Sequence, residues 1–153
     1  MNILLPLIFQ CFSQSPTTHE YLGSCRYQSQ ESGQPGIVSV YQNLNTKGDD
    51  RLMSFEFFNE SCEHVTEQSE SQIDFVRSYI WPWSDEGIQW LKYRNGKAGM
   101  GMMKWHRESG EGYLRRFKKN YNPQTDKYDE KYFYLDVTDC NIDLTNVDFA
   151  GGF

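Results

Sequence analysis

Arginines recur inside the aromatic runs of this chain. Arg51 precedes Met53, Phe55 and Phe57; Arg77 lies between Phe75 and Tyr79; Arg94 follows Trp90 and Lys92; Arg115 lies between Tyr113 and Phe117. The two-residue spacing puts each charge on the same face of an extended strand as its aromatic neighbours. A guanidinium taken out of water is costly unless an anion meets it. Rings beside a positive charge therefore suit a pocket for a flat, conjugated ligand bearing carboxylates, which the rings stack on and the arginines hold. The plain alternative is an outer face where these arginines lie among exposed rings and pair with the chain's 21 acidic residues. Met100, Met102 and Met103 suit the wall of such a pocket or ordinary core.

Other chemistry finds little support. The chain has no GxSxG, HExxH or P-loop motif; Gly96-Lys97-Ala98-Gly99-Met100-Gly101 lacks the Lys-Ser/Thr ending and follows a hairpin turn. Zinc needs closely spaced ligand pairs, and among Cys11, Cys25, Cys62, Cys140, His19, His64 and His106 only Cys62 and His64 are neighbours, so no metal is expected. No catalytic residue is named. A net charge of −6 makes nucleic acid and anionic membrane poor partners.

The elements that must carry these residues are strands. Alanine occurs only at positions 98 and 150, which removes the strongest helix former, while 16 % of the chain is aromatic. Turn residues divide it into strands over 21–30, 37–44, 51–59, 73–81, 88–94, 100–107, 113–119 and 131–137, with Asn95-Gly96 as the clearest hairpin signal. Met53, Phe55 and Phe57 alternate with Ser54 and Glu56, so that strand reads as half-buried. Residues 1–153 are expected to form a single, mainly β domain, an antiparallel meander sandwich or a barrel or half-barrel, with a short N-terminal helix.

That helix is expected over 1–14, with Leu4, Leu7, Ile8 and Phe12 on its inner face. Because no Lys or Arg precedes the apolar run, it reads as retained rather than cleaved, and the protein as cytoplasmic; a signal peptide and a secreted protein are the alternative. The wide cysteine spacing predicts four reduced, buried thiols. The polar segment 139–153 reads as a mobile tail.

The order of these features resembles the T-type (CpeT/CpcT-like) phycobiliprotein lyases. Their first helix is similar to Leu5 followed by Phe12-Ser13-Gln14, and an Arg–Cys strand to Cys25-Arg26. Later strands are similar to Val38-Ser39-Val40-Tyr41-Gln42, which keeps the family's Gln, and to Asp49-Asp50-Arg51-Leu52-Met53, which keeps its first Arg. Gly112-Tyr113-Leu114 and Tyr132-Phe133-Tyr134 complete the series. Tyr41 stands where the family has Glu, and Met53 where it has a second Arg, so the chain resembles a shortened, divergent member. Its scarce alanine suits an AT-rich cyanobacterial or cyanophage genome.

The resemblance implies a lipocalin-like barrel that binds a phycobilin, an open-chain tetrapyrrole. The barrel would orient this chromophore for attachment to a cysteine of a phycobiliprotein subunit, and the nucleophile would belong to that partner. Arg51 and Arg115 are the first candidates for its propionates, and Asp74 for the pyrrole nitrogens; Glu56 alternates with Arg51, so both cannot point inwards. Arg77, Tyr79, Trp90, Tyr113 and Gln42 complete the expected ligand-binding set, and Arg107, beside the Ser109-Gly110 turn, is expected to contribute little. A homodimer is possible. The alternatives are a lipocalin-like carrier of another hydrophobic ligand and a secreted or periplasmic interaction protein of inhibitor type.

Overall fold

The computed structural model of the chain describes residues 11–46, 51–65, 69–80, 87–95, 99–145 and 147; for 69–80, 94–95, 99–100, 117–120 and 130 it describes the backbone alone. Among the described residues, the alternation of apolar and polar residues yields eight strands. They are β1 His19–Ser29, β2 Pro35–Asn43, β3 Leu52–Phe58, β4 Ser69–Ile80, β5 Gly87–Asn95, β6 Gly99–His106, β7 Gly112–Asn122 and β8 Lys127–Thr138. Each pairs antiparallel with the next. β1 also pairs with β8, so the order of pairing returns to its start. Two ladders are short: Leu52–Phe55 with Ser69–Gln72, and Arg26–Ser29 with Leu135–Thr138.

One face of this sheet carries the core. Val38, Val40, Met53, Phe55, Phe57, Leu91, Tyr93, Met103, Trp105, Leu114 and Val137 are buried together there. The register explains the grouping, because residues directly opposite each other share a face. Val40 opposes Phe55, Leu91 opposes Met103, and Met103 opposes Leu114.

Three expectations are corrected. The half-buried reading of the third strand fails because β2 and β3 are buried on both faces. The second face, bearing Ile37, Tyr41, Ser54, Glu56 and Phe58, is covered by a segment at Cys11, whose carbonyl accepts a hydrogen bond from Ser39. Of the helix expected over 1–14, residues 11–14 are irregular instead, and 1–10 lie outside the described residues. The cysteines are not reduced thiols. Cys11 is bonded to Cys62, and Cys25 to Cys140, across 51 and 115 residues. Spacing in sequence is no guide to these pairs, because strands distant in the chain become neighbours only when the sheet forms.

The segment read as a mobile tail is docked as far as it is described. Past Cys140 it runs along β1, where the Asn141 amide donates to the Ser24 carbonyl (3.1 Å) and the Asp143 amide to that of Leu22 (3.0 Å). Ile142, Leu144 and Val147 thereby join the core. Residues 148–153 lie outside the description. Gly23 permits this approach: its φ is +143°, and a Cβ there would stand 2.6 Å from the Ile142 Cα. Gly23→Ala is expected to cost about 2–4 kcal/mol through backbone strain and overpacking. Urea unfolding would measure that loss, with faster hydrogen exchange at the Asn141 and Asp143 amides; unchanged exchange would refute the close docking.

Candidate functional site

The inner face is aromatic, as the alternation predicts. The Phe55 and Tyr93 rings lie 4.4 Å apart, and Tyr27 meets Phe57 edge-on at 5.9 Å. Tyr93 covers the bare Cα of its cross-strand partner Gly101, and burial pushes its hydroxyl up to about 12. Among the described side chains, the inward basic residue of β7 is Arg116, whose guanidinium lies 5.1 Å from the Phe57 ring.

Arg51 and Gln42 come together on this face. Arg51, only 5 % exposed, donates from Nη1 to Gln42 Oε1 (3.2 Å) and to the Asn43 carbonyl (3.3 Å). Gln42 Nε2 in turn donates to Glu20 Oε2 at 3.0 Å. The three form a polar line beside Met53, Gln42's register partner. These contacts bind the guanidinium to the end of β2, which is a structural use of its charge.

Of the remaining expected residues, those with described side chains do not join that line. Arg115 lies on the opposite face, 5.0 Å from the Tyr132 ring, and Tyr113 meets Tyr134 at 6.3 Å nearby. Trp90 is on that outer face too, under Lys104 Nζ at 5.2 Å. Arg77 is the register partner of Trp90 and Tyr79 that of Ile88, while Asp74 falls at the irregularity between Ile73 and Phe75. The side chains of Arg77, Tyr79 and Asp74, and of Arg94, lie outside the description.

Two features escaped the sequence reading. Beneath the Cys11–Cys62 bridge, the fully enclosed carboxylate of Glu56 accepts from Ser13 Oγ at 2.7 Å and lies 2.6 Å from His64 Nε2. Tyr41 accepts from the Ser13 amide at 3.2 Å, and burial, with Glu56 beside it, pushes its pKa up. A serine, a histidine and a carboxylate suggest a hydrolytic relay, but the geometry is wrong for one. Ser13 (3.3 Å) and Glu56 both meet the same nitrogen of His64, whereas a relay needs one on each side of the ring. The cluster instead fastens the Cys11 segment and the β3–β4 connection to the sheet. The matched spacings Cys11-x-Ser13 and Cys62-x-His64 were the available signal.

The second feature is a pocket of about 580 Å³ between the inner face and the docked tail. The buried Trp105 and Gln89 line it, with Arg107 at its edge and Ile142, Asp143 and Leu144 on the tail side. Its size falls within the ~300–1,000 Å³ range of small-molecule sites. Arg107, expected to contribute little, is held here by its amide's bond to the Gly87 carbonyl (2.7 Å), its guanidinium 3.0 Å from where a Gly87 Cβ would stand. Thr145 donates to Asp143 from amide and hydroxyl, at 3.0 and 2.7 Å, and holds that carboxyl below its ordinary value. The pocket thus sets the Arg107 cation and the Asp143 carboxylate over a floor formed by the buried Trp105 and Gln89. Compared with known families, with curated proteins and with solved structures, the chain matches none.

Proposed function

We propose that this chain is a lipocalin-like binding barrel. Its ligand is a flat or elongated apolar molecule with an acidic group, taken up between the inner face and the C-terminal segment. The observation that carries this reading is the pocket lined by Trp105, Gln89 and Arg107. Trp105 forms the apolar floor, Gln89 orients a polar atom, and Arg107 meets the acid. Arg51 is a weaker candidate for that role, because Gln42 and Asn43 already engage its guanidinium. The two disulfides support work in an oxidising compartment, in place of the cytoplasm expected from the N-terminus.

A narrower reading makes the ligand a phycobilin and the protein a chaperone or lyase that presents it to a phycobiliprotein cysteine. A bilin combines a conjugated plane with two propionates. Every cysteine of this chain is in a disulfide, so any thiol that captures the bilin belongs to the partner. Titration with biliverdin, a long-chain fatty acid and a retinoid acid, read by tryptophan quenching and absorption, tests both readings. We expect saturable quenching that is lost in Trp105→Phe, and affinity about tenfold weaker in Arg107→Ala, as for one charge-assisted contact at a partly exposed site. A red-shifted, sharpened bilin band supports the narrower reading, and fatty-acid or retinoid binding without bilin binding supports a carrier. No binding by any of the three, or equal affinity in Arg107→Ala, overturns the assignment.

A further inference from the structure

Three neighbouring strands carry no acidic residue. β5, β6 and β7 contain seven of the chain's 15 lysines and arginines, two in β5, one in β6 and four in β7, and none of its 21 acids. The rest of the chain therefore holds eight cations against all 21 acids, and the net charge of −6 conceals a strongly basic stretch of sheet. β5 pairs with β6 and β6 with β7, so this charge is contiguous in space.

The register orders it on the outer face, because cross-strand partners share a face. One row across the strands reads Arg77, Trp90, Lys104, Tyr113 and ends at Asp136, which accepts from Gln30 at 2.8 Å. The next row reads Phe75, Lys92, Met102, Arg115, Tyr134. Arg77 and Phe75 belong to these rows by backbone register; the row members on β5, β6 and β7 are half-buried. Two of the cations rest on rings. Lys104 Nζ lies 5.2 Å from the centre of the Trp90 ring, and the Arg115 guanidinium 5.0 Å from that of Tyr132. Among the described side chains, no carboxylate pairs with Lys104 or Arg115. The arginine-and-ring pattern of the sequence thus reappears on a surface that the pocket at Trp105 does not use.

We propose that this outer face binds an acidic polysaccharide, a chain of sugars bearing uronate or sulfate groups. Neighbouring strands lie about 4.8 Å apart, so cation and ring alternate at that step along the first row, and each kind recurs after about 10 Å. A pyranose advances an extended polymer by a similar step, and in polymers of acidic disaccharides the anion recurs on every second sugar. Laid across the strands, such a chain sets the C–H faces of its sugars on Trp90 and Tyr113 and its anions beside Lys104 and Arg115. At physiological ionic strength the acids elsewhere on the chain are screened beyond about 8 Å, so the charge of the face itself decides what docks there. The two disulfides favour a glycan over nucleic acid, because they suit an oxidising compartment.

Fluorescence anisotropy with labelled heparin oligosaccharides tests this, alongside poly-glutamate of equal charge, an oligo-dT strand and neutral dextran. We expect saturable heparin binding that weakens with salt, is tighter than that of poly-glutamate or oligo-dT, and has no counterpart with dextran. Lys104→Glu with Arg115→Glu is expected to weaken it roughly tenfold. Lys127→Glu with Lys131→Glu makes the same change of charge at exposed positions of opposite parity to Tyr132 and Tyr134, and is expected to leave it unaltered. Tyr113→Ala keeps both cations, and is expected to weaken heparin binding roughly threefold without changing that of poly-glutamate, a selective loss that misfolding would not give. Absence of heparin binding, equal losses in the two double variants, poly-glutamate bound as tightly as heparin, or Tyr113→Ala without a selective loss would each overturn the proposal. Tighter binding of oligo-dT would overturn it too and assign the face to nucleic acid.

Discussion

Replacing Cys25 and Cys140 together by alanine is expected to lower stability by about 4–5 kcal/mol, the entropy that a bridge of this span removes from the unfolded chain. The bridge closes 115 residues, from the first strand to the segment after the last. It also pins the tail that brings Ile142, Leu144 and Val147 into the core. A domain of this size has roughly 5–15 kcal/mol in total, so the loss approaches the whole margin. In thermal unfolding it corresponds to a fall of about 10–15 °C, and a reductant, which opens both bridges, should produce a fall at least as large in the wild type. Thiol titration of the denatured wild type should find no free thiol. Four titratable thiols and a melting point indifferent to reductant would refute both bridges.

The second large effect belongs to Glu56. Its carboxylate is enclosed on the covered face of β3 and is the acceptor on which Ser13 and His64 converge. Glu56→Ala leaves these donors facing a void, and two hydrogen bonds to a charged group are lost together. About 3 kcal/mol is expected, discounted because the His64 side chain is 41 % exposed and can turn to water. Glu56→Gln keeps an acceptor oxygen there and should cost clearly less. Denaturant midpoints of the two variants give the comparison, and limited proteolysis near Ser13 reports whether the Cys11 segment has loosened. A Glu56→Ala variant within 0.5 kcal/mol of wild type, the scale of about one ordinary surface change, would mean that the cluster does not hold that segment.

The faces of the strands and the proposed binding site were legible to different degrees. The rule that placed Arg51 with Met53, Phe55 and Phe57 on the inner face, and Glu56 on the other, needed only period-two geometry, and the structure places them so. The same rule failed to choose a face for β7. Tyr113, Arg115 and Phe117 are the more aromatic set, yet the inner face takes Leu114 and Arg116. Alternation tells which residues share a face but not which face is buried, and here the outer face carries Tyr113 against Tyr134, rings of the kind that usually mark a core. Arg107 gave no signal at all, since its neighbours Cys140 to Thr145 lie more than thirty residues away in sequence.

What the amino-acid sequence determined by itself was local: strands at the places where apolar residues alternate and turn residues interrupt them, and the sharing of faces along each strand. Those features depend on backbone geometry and on neighbours a few residues apart. The tertiary structure alone decided the long-range matters. It joined Cys25 to Cys140 and Cys11 to Cys62, covered the second face of β2 and β3, and set the C-terminal segment over Trp105. Each of these needs two segments far apart in the chain to meet. Such meetings are selected by the energy of the whole sheet, and no local pattern encodes them.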